Sequence, residues 1–380
     1  MRDKGLIQPT DELVEATSGN AATLRYFAAD RLTRRQVDAW RSFAAEVPSA
    51  HYLQDPAWAT VELQGSRTGV RRPFFLWVER GGVVCLTALG VRRRLPVPGQ
   101  TFWELNRGPN FVDADVFDEW LAWLVGHRSR GVARLRLQPP LPLAQGGDDV
   151  ETMLERHGLV RRRILGGWAT LTVDLGPGED DIRRSFRSAT QRSIKKSLRL
   201  GIEVCHEDTP QGWSALSRLE SDVAQRSPVG EVDESEIASI SRNWLRQGQG
   251  GTILVARHGG EPLAAALLVV YGEKAYLPLT PSSSRHRELP ASHLMVFEAA
   301  RWAKSRGCSS LDLVGYSMMA RPGDGLWGIN QFKRGFAASD RLTRFTAIHE
   351  RVFSPTVVTA AAAARRSQAW LHRARGGRDA

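Results

Sequence analysis

Two apolar stretches, each interrupted by a glycine pair, dominate the hydrophobic pattern of the chain. Phe74-Phe-Leu-Trp-Val-Glu-Arg80 runs into Gly81-Gly82 and then Val83-Val-Cys-Leu-Thr-Ala-Leu89. Thr252-Ile-Leu-Val-Ala-Arg-His258 runs into Gly259-Gly260 and, after Glu261-Pro262, into Leu263-Ala-Ala-Ala-Leu-Leu-Val-Val270. Each predicts a β-hairpin, because paired glycines supply the positive φ angles of a tight turn. Further on, Val116 to Arg130 has helical periodicity, with Trp120, Trp123 and Leu124 on one side. It stops at Gly131 before the strand Val132-Ala-Arg-Leu-Arg-Leu137. Ala291 to Arg306 is likewise helical, opens after Pro290, and stops at Gly307 before Cys308-Ser-Ser-Leu-Asp-Leu313. A glycine there predicts a left-handed helix cap. Ser-Arg-Gly occurs at 129–131 and again at 305–307, and in both copies a Leu-x-Leu strand follows at the same distance. Ordered agreement of hairpin, helix and strand predicts a tandem duplication.

The repeated unit is a mixed α/β layer. Between the copies lie a strand-like Trp168-Ala-Thr-Leu-Thr-Val-Asp-Leu175, the turn Gly176-Pro-Gly178 and one long helix from about Asp180 to Leu200. This places a domain boundary near 176–180. The organisation expected is an extension over 1–36, a first domain over 37–176, a second over 177–355 and a basic tail over 356–380. No heptad insertion is present, so no coiled-coil arm is expected.

The 380 residues carry 42% hydrophobic and 24% charged residues, which excludes disordered and fibrous classes. The longest apolar run, Leu263–Val270, is far short of the ~20 residues that cross a bilayer. The charged Met1-Arg-Asp-Lys-Gly5 leads into no apolar signal region, so a cytoplasmic location is expected. Cys85, Cys205 and Cys308 form no disulfide framework or CxxC motif, and the nine histidines show no ligand spacing. No metal site is expected.

The net charge of +11 points to a polyanionic partner: nucleic acid, anionic lipid or a phosphorylated substrate. The central helix is one focus of that charge. It holds seven basic residues and no acid between Asp181 and Glu203. Arg192, Lys195, Lys196 and Arg199 share one face, with Ile194 and Leu198 expected to turn toward a core. The basic face is either solvated surface or a phosphate-binding one. The tail, with five arginines against Asp379, is either a frayed helix or one lying on an anionic membrane leaflet.

Only six of the 52 basic residues are lysines, so a retained lysine carries information that an arginine does not. Lys333 stands out. The segment Leu311-Asp-Leu-Val-Gly315 leads into a Gly/Pro-rich loop and re-enters an apolar stretch where Phe332 and Phe336 flank Lys333. A lysine held among aromatics can support a developing oxyanion, although a snorkelling surface lysine fits the sequence equally well.

The repeated hairpin, helix and strand resemble the core of the GNAT acyltransferase fold, giving an α/β protein of two tandem GNAT-like domains with mixed sheets. A GNAT domain cradles acyl-CoA phosphates with a Gly-rich loop at a helix N-terminus. Arg285-His-Arg-Glu-Leu-Pro-Ala291, before the second helix, offers no glycine, and Arg107-Gly-Pro-Asn-Phe-Val-Asp113 is equally unsuited. Acyl-CoA is therefore the weaker donor candidate.

Across residues 37–355 the chain resembles the Fem family (FemABX-like) of tRNA-dependent peptidoglycan-bridge aminoacyltransferases. The landmarks in order are Gln54-Asp-Pro-Ala-Trp58, Arg107-Gly-Pro109, Arg192-Ser-Ile-Lys-Lys-Ser-Leu-Arg-Leu-Gly-Ile-Glu-Val204, Tyr276 with Pro290, Asp312-Leu-Val-Gly315, Gly325-Leu326 and Phe332-Lys333. The resemblance implies an aminoacyltransferase that moves an amino acid from aminoacyl-tRNA, its co-substrate, to an amine of a lipid-linked or nucleotide-linked muropeptide, without a cofactor. It puts Lys333 and the Phe332 carbonyl at the transfer site, Tyr276, Arg226 and Arg107 against substrate, and tRNA phosphate on Arg192, Lys195, Lys196 and Arg199. Peripheral contact with the inner face of the plasma membrane would follow from a lipid-linked acceptor. Two positions depart from the family pattern: Val61-Glu62 stand where a lysine is common, and Ser227-Pro-Val-Gly230 lack an expected tyrosine. The alternative enzyme is an N-acyltransferase using acyl-CoA in polysaccharide or natural-product synthesis.

Overall fold

The computed structural model describes residues 24–64, 71–128, 131–162, 169–225, 234–246, 250–286, 288–337 and 339–376. It divides into two compact units, 1–163 with 346–380 and 164–345.

The first unit contains β1 (Leu24–Ala29), α1 (Arg34–Glu46), α2 (Pro56–Gln64), β2 (Arg71–Arg80), β3 (Val83–Arg94), β4 (Thr101–Leu105), β5 (Asn110–Phe111), α3 (Ala114–His127), β6 (Val132–Leu137), α4 (Gly147–Arg156) and β7 (Val160–Arg161). The second contains β8 (Ala169–Asp174), α5 (Glu179–Ser185), α6 (Ser188–Arg199), β9 (Glu203–His206), α7 (Pro210–Ala224), α8 (Glu234–Ile240), β10 (Gly251–His258), β11 (Glu261–Tyr271), β12 (Lys274–Leu279), α9 (Ala291–Ser305), β13 (Ser310–Asp312), α10 (Gly325–Lys333) and β14 (Leu342–Arg344). The chain then returns to the first unit with β15 (His349–Val352) and α11 (Pro355–Gly376).

Both predicted hairpins form, β2 with β3 and β10 with β11. Their turns are the glycine pairs, with φ of 60° and 82° at Gly81 and Gly82 and 56° and 83° at Gly259 and Gly260. Successive positive φ values define the hairpin turn whose twist matches that of the strands.

The sheets have matching strand orders, β1-β2-β3-β4-β6-β15-β7 and β9-β10-β11-β12-β13-β8-β14. Each holds one parallel pair, β4 with β6 and β12 with β13, bridged by α3 or α9. The duplication thus extends to whole sheets, but two strands are exchanged between the copies. β8, which follows the first unit in sequence, lies beside β13 in the second sheet. β15, which follows the second unit, occupies the equivalent place beside β6 in the first. The compact units consequently break at 163/164 and 345/346, whereas the sequence pattern places the breaks at 176/177 and 355/356.

Separate apolar cores support each sheet. In the first unit Trp120, Leu121 and Leu124 of α3 are fully buried against Leu76, Leu86 and Leu137. In the second, α9 buries Leu294, Met295 and Ala299 against Leu254, Leu268 and Leu277. Burial of each such leucine stabilises the fold by ~1.5–3 kcal/mol.

The long helix expected over 180–200 is two helices. Phe186 and Arg187 between them are extended, with ψ of 151° and 145°. The break places the Phe186 ring edge-on to Phe297 and Phe336 in the core and lets the Arg187 amide donate to the Gly335 carbonyl at 2.9 Å. Leu198 also departs from expectation and is 55% exposed. The buried stripe of α6 is Thr190, Ile194 and Ser197, and at 100° per residue Leu198 falls to one side of it.

A candidate acyl-transfer site at a divided parallel pair

β12 and β13 pair over three positions, Lys274↔Ser310, Ala275↔Leu311 and Tyr276↔Asp312. Beyond Asp312 they take different neighbours. The amides of Leu313 and Tyr316 donate to β8 at Leu171 (3.0 Å) and Ala169 (2.9 Å), while β12 continues beside β11 to Leu279. The equivalent pair in the first unit stays closed: β4 and β6 remain in register through Leu105↔Leu137, and the Gln138 amide donates to the Leu105 carbonyl at 3.2 Å. At the register of Tyr276 and Asp312 that unit holds an ion pair, Glu104 with Arg136 at 2.8 Å. The parallel strands therefore part in the second unit alone.

The chain turns sharply where they part. Val314 and Gly315 have φ of 43° and 64°, a left-handed conformation costly for a β-branched residue. Asp312 holds the turn: its Oδ1 accepts from the Val314 amide at 2.7 Å and from the Thr170 hydroxyl at 2.5 Å. Asn330 of α10 fixes the following loop by exchanging two hydrogen bonds with the Ser317 backbone, at 2.7 and 3.1 Å.

Lys333, the last residue of α10, donates from Nζ to the carbonyls of Gly315 (2.9 Å) and Val314. It is 9% exposed, so the surface alternative is ruled out. Burial pushes its pKa down to about 8, with the Asp312 charge acting in the opposite sense. The ammonium has three protons, and among the described residues two have acceptors. The third has none among them. Gly335 secures the helix end, because a Cβ there would stand 2.3 Å from the Thr190 hydroxyl of α6.

The Phe332 ring packs edge-on against Phe336 and His293 at 5.1 and 5.0 Å, and its carbonyl accepts from the Gly335 amide at 2.9 Å. His293, in the first turn of α9, is a residue the sequence reading missed. Burial lowers its pKa, partly offset by the Pro290 carbonyl, and its Nδ1 makes no hydrogen bond among the described residues. Tyr276 is 4% exposed. Its neighbours Ala275 and Leu277 belong to the α9 core, so the strand alternation puts Tyr276 on the opposite face, with Asp312 and Thr170.

Arg226 lies outside the described residues, as do Ser227–Gly230. Arg107 is in the first unit with φ of 54°, ahead of a cis Gly108-Pro109 bond. A Cβ on Gly108 would meet the Gln54 carboxamide at 2.4 Å. Gln54 is fully buried, donates to the carbonyls of Leu89 (3.0 Å) and Asn106 (2.7 Å) and accepts from the Leu89 amide at 2.8 Å. Gln54-Asp55 and Arg107-Gly108-Pro109 are thus two halves of one joint within the first unit.

Arg192, Lys195, Lys196 and Arg199 are all exposed on α6. Lys196 is tied to the approach to α9, donating to the Glu288 carbonyl at 3.0 Å, and Ser197 donates to that of Pro290 at 3.0 Å. No group of three potential metal ligands occurs among the described residues, and none of their helices is long and apolar enough to cross a membrane.

Residues 184–334, from α5 to just past Lys333, match a family model described as an acetyltransferase (GNAT) domain. The crystal structure of FemX superposes with a TM-score of 0.69 at 14% identity, covering 88% of this chain and 99% of that one. A tandem GNAT protein from the clavulanic acid biosynthesis pathway superposes with a TM-score of 0.54 at 13% identity, again covering 88% and 99%. A comparison with curated proteins finds no match. The chain has the tandem GNAT-like fold of acyltransferases.

Proposed function

We propose that the protein is an aminoacyltransferase that moves an amino acid from an aminoacyl-tRNA ester to an amine of a peptidoglycan precursor or related peptide. The observation that carries this reading is Lys333, a buried ammonium anchored by two carbonyls at the divided end of β12 and β13. An ester is already activated, so catalysis needs an amine aligned with its carbonyl and a fixed cation where negative charge develops on oxygen. The Fem-type landmarks and the superposition on FemX support the reading.

The donor side supports an ester rather than a thioester of CoA. No glycine occurs between Leu279 and Ala291, and the amides of Leu289, Ala291 and His293 in that approach already donate to the carbonyls of His286 (3.1 Å), Leu289 (2.9 Å) and Pro290 (3.0 Å), which leaves fewer donors for a phosphate. The exposed Arg192, Lys195 and Arg199 would take tRNA phosphates. A second reading, an acyl-CoA N-acyltransferase, is favoured by the match of residues 184–334 to the acetyltransferase model. Incubation with charged tRNA, with acyl-CoA or with neither, followed by mass analysis of muropeptide and other amine acceptors, separates the two. Transfer dependent on charged tRNA and lost in Lys333→Ala supports the first. Transfer from acyl-CoA alone establishes the second.

A further inference from the structure

Asp312 and Arg136 occupy the same register in the two copies, Asp312 opposite Tyr276 and Arg136 opposite Glu104. Arg136 reaches sideways, to Glu104 at 2.8 Å and to Glu350 of β15 at 3.1 Å, and so ties three adjacent strands together. Asp312 reaches along its own chain to the Val314 amide at 2.7 Å, and the Thr170 hydroxyl of β8 steadies the same oxygen at 2.5 Å. An aspartate that accepts from the amide two residues on forms an Asx turn, and an ionised acceptor makes that bond stronger than a neutral one would.

The turn has a visible consequence at Lys333. Val314 adopts φ of 43°, which a β-branched residue keeps only under constraint. With Gly315 it aims two successive carbonyls at the Lys333 ammonium. β8 grips the same turn through consecutive residues: the Ala169 and Leu171 carbonyls accept from Tyr316 and Leu313, and the Thr170 hydroxyl holds Asp312. Loss of the Asp312 acceptor would strip the Val314 amide of this bond and release the carbonyls that hold the ammonium.

Charge reinforces the geometry. Burial opposes the charged form of Lys333 and the Asp312 carboxylate supports it. The other titratable groups around α10 are His293 of α9, packed on Phe332 and Phe336; the Tyr316 phenol; Arg334, over the Tyr316 and Trp327 rings; and the exposed Arg187 just before α6. None of these is an acid. Glu220, 5% exposed on the inward stripe of α7, packs toward β10, β11 and α8 and does not enter the balance at Lys333.

We infer that Asp312 is a positioning residue for Lys333: its carboxylate shapes the turn that seats the ammonium and supplies the counter-charge beside it. The inference deepens the acyl-transfer reading and rests on it for its catalytic consequence, since only a charged, fixed lysine can face an oxyanion. The seat itself is a property of the folded chain and can be measured without a substrate.

The test joins two readouts on wild type, Asp312→Asn and Asp312→Glu. The first is an NMR titration of protein labelled in its lysines, of which there are six; the Lys333 signal is the one absent from Lys333→Arg. The second is kcat/KM against pH with charged tRNA and with acyl-CoA. Asparagine can still accept from the Val314 amide but carries no charge. Lys333 in Asp312→Asn should therefore lose its proton at lower pH than in wild type, by about one pH unit or more. The alkaline fall of kcat/KM should move down with it, a loss of ~10-fold or more at pH 8, with acceptor KM little changed. Asp312→Glu keeps the charge but is a methylene too long for the turn, so turnover should fall while Lys333 titrates near its wild-type pH; this variant carries the test if the Asn variant does not fold. An Asn variant with the wild-type Lys333 titration and alkaline limb, or a Glu variant with wild-type turnover, overturns the assignment. A shifted Lys333 signal in a protein that transfers from neither donor supports the seat and overturns the acyl-transfer reading instead.

Discussion

The Lys333 ammonium and the Gly315 carbonyl are 2.9 Å apart, and Gly315 presents that carbonyl from a left-handed backbone with φ of 64°. An alanine side chain has room there, because its Cβ would stand 3.7 Å from Nζ. The conformation rather than space decides the outcome. Gly315→Ala should cost about 1–2 kcal/mol and displace the carbonyl that anchors the ammonium. Thermal melts should show a drop of several degrees, and turnover should fall more than acceptor binding does.

Lys333→Ala should lower turnover by ~10²–10³, the effect of removing one donor to an oxyanion. Lys333→Arg should also be poor, since a planar fork cannot occupy the place of a point charge between two carbonyls. Affinity for tRNA and acceptor should change much less. Steady-state kinetics beside direct binding separates the two effects.

The same lysine predicts a pH dependence of stability. Its folded pKa of about 8 lies below the ordinary 10.5. Between those values the unfolded chain binds more protons, so stability contributed through this group rises with pH from about 8 to 10.5. Lys333→Met lacks the group. Denaturant titrations of both proteins across pH 8–10 should show wild type gaining relative to the variant.

Glu220 has the opposite sign. Its folded pKa of about 7 exceeds the ordinary 4.5, so the folded state binds more protons between them and stability falls as pH rises through that window. Glu220→Gln should be more stable than wild type at pH 8, by at most about 3 kcal/mol, and should lose the advantage by pH 4. Melting temperatures at the two pH values decide it.

Lys195→Ala with Arg199→Ala should flatten the salt dependence of tRNA binding by ~0.7–0.9 in log–log slope for each phosphate the helix no longer neutralises. Lys196→Ala should change it less, because that ammonium is engaged by Glu288. An unchanged slope in the double variant would make the face plain solvated surface.

Local signals read well from the sequence, and long-range choices do not. The glycine pairs 81–82 and 259–260 set both hairpins because a two-residue turn is specified by its own residues. The periodicity around Trp120 and Leu294 set α3 and α9 for the same reason. Lys333 stood out from the scarcity of lysine and from its flanking phenylalanines. Its acceptors did not, because the carbonyls of Val314 and Gly315 meet it only after α10 folds back on the loop after β13. Leu198 was misjudged because helical periodicity gives a stripe without saying where α9 centres it. His293 and Glu220 carried no sequence signal at all: a lone histidine or glutamate in an amphipathic helix is ordinary until its burial is known.

The exchange of β8 and β15 makes the order of synthesis matter. β6 stays an open edge and β7 has no sheet to join until residue 352 has emerged, so the first unit leaves the ribosome with an unfinished sheet while the second is made behind it. A gene cut at the apparent midpoint yields a leading half without its closing strand and a trailing half burdened with a strand that belongs elsewhere. An open edge invites pairing with other chains, so such halves should clump when made separately. The unit of inheritance in this duplication, a contiguous run of sequence, is therefore not its unit of folding.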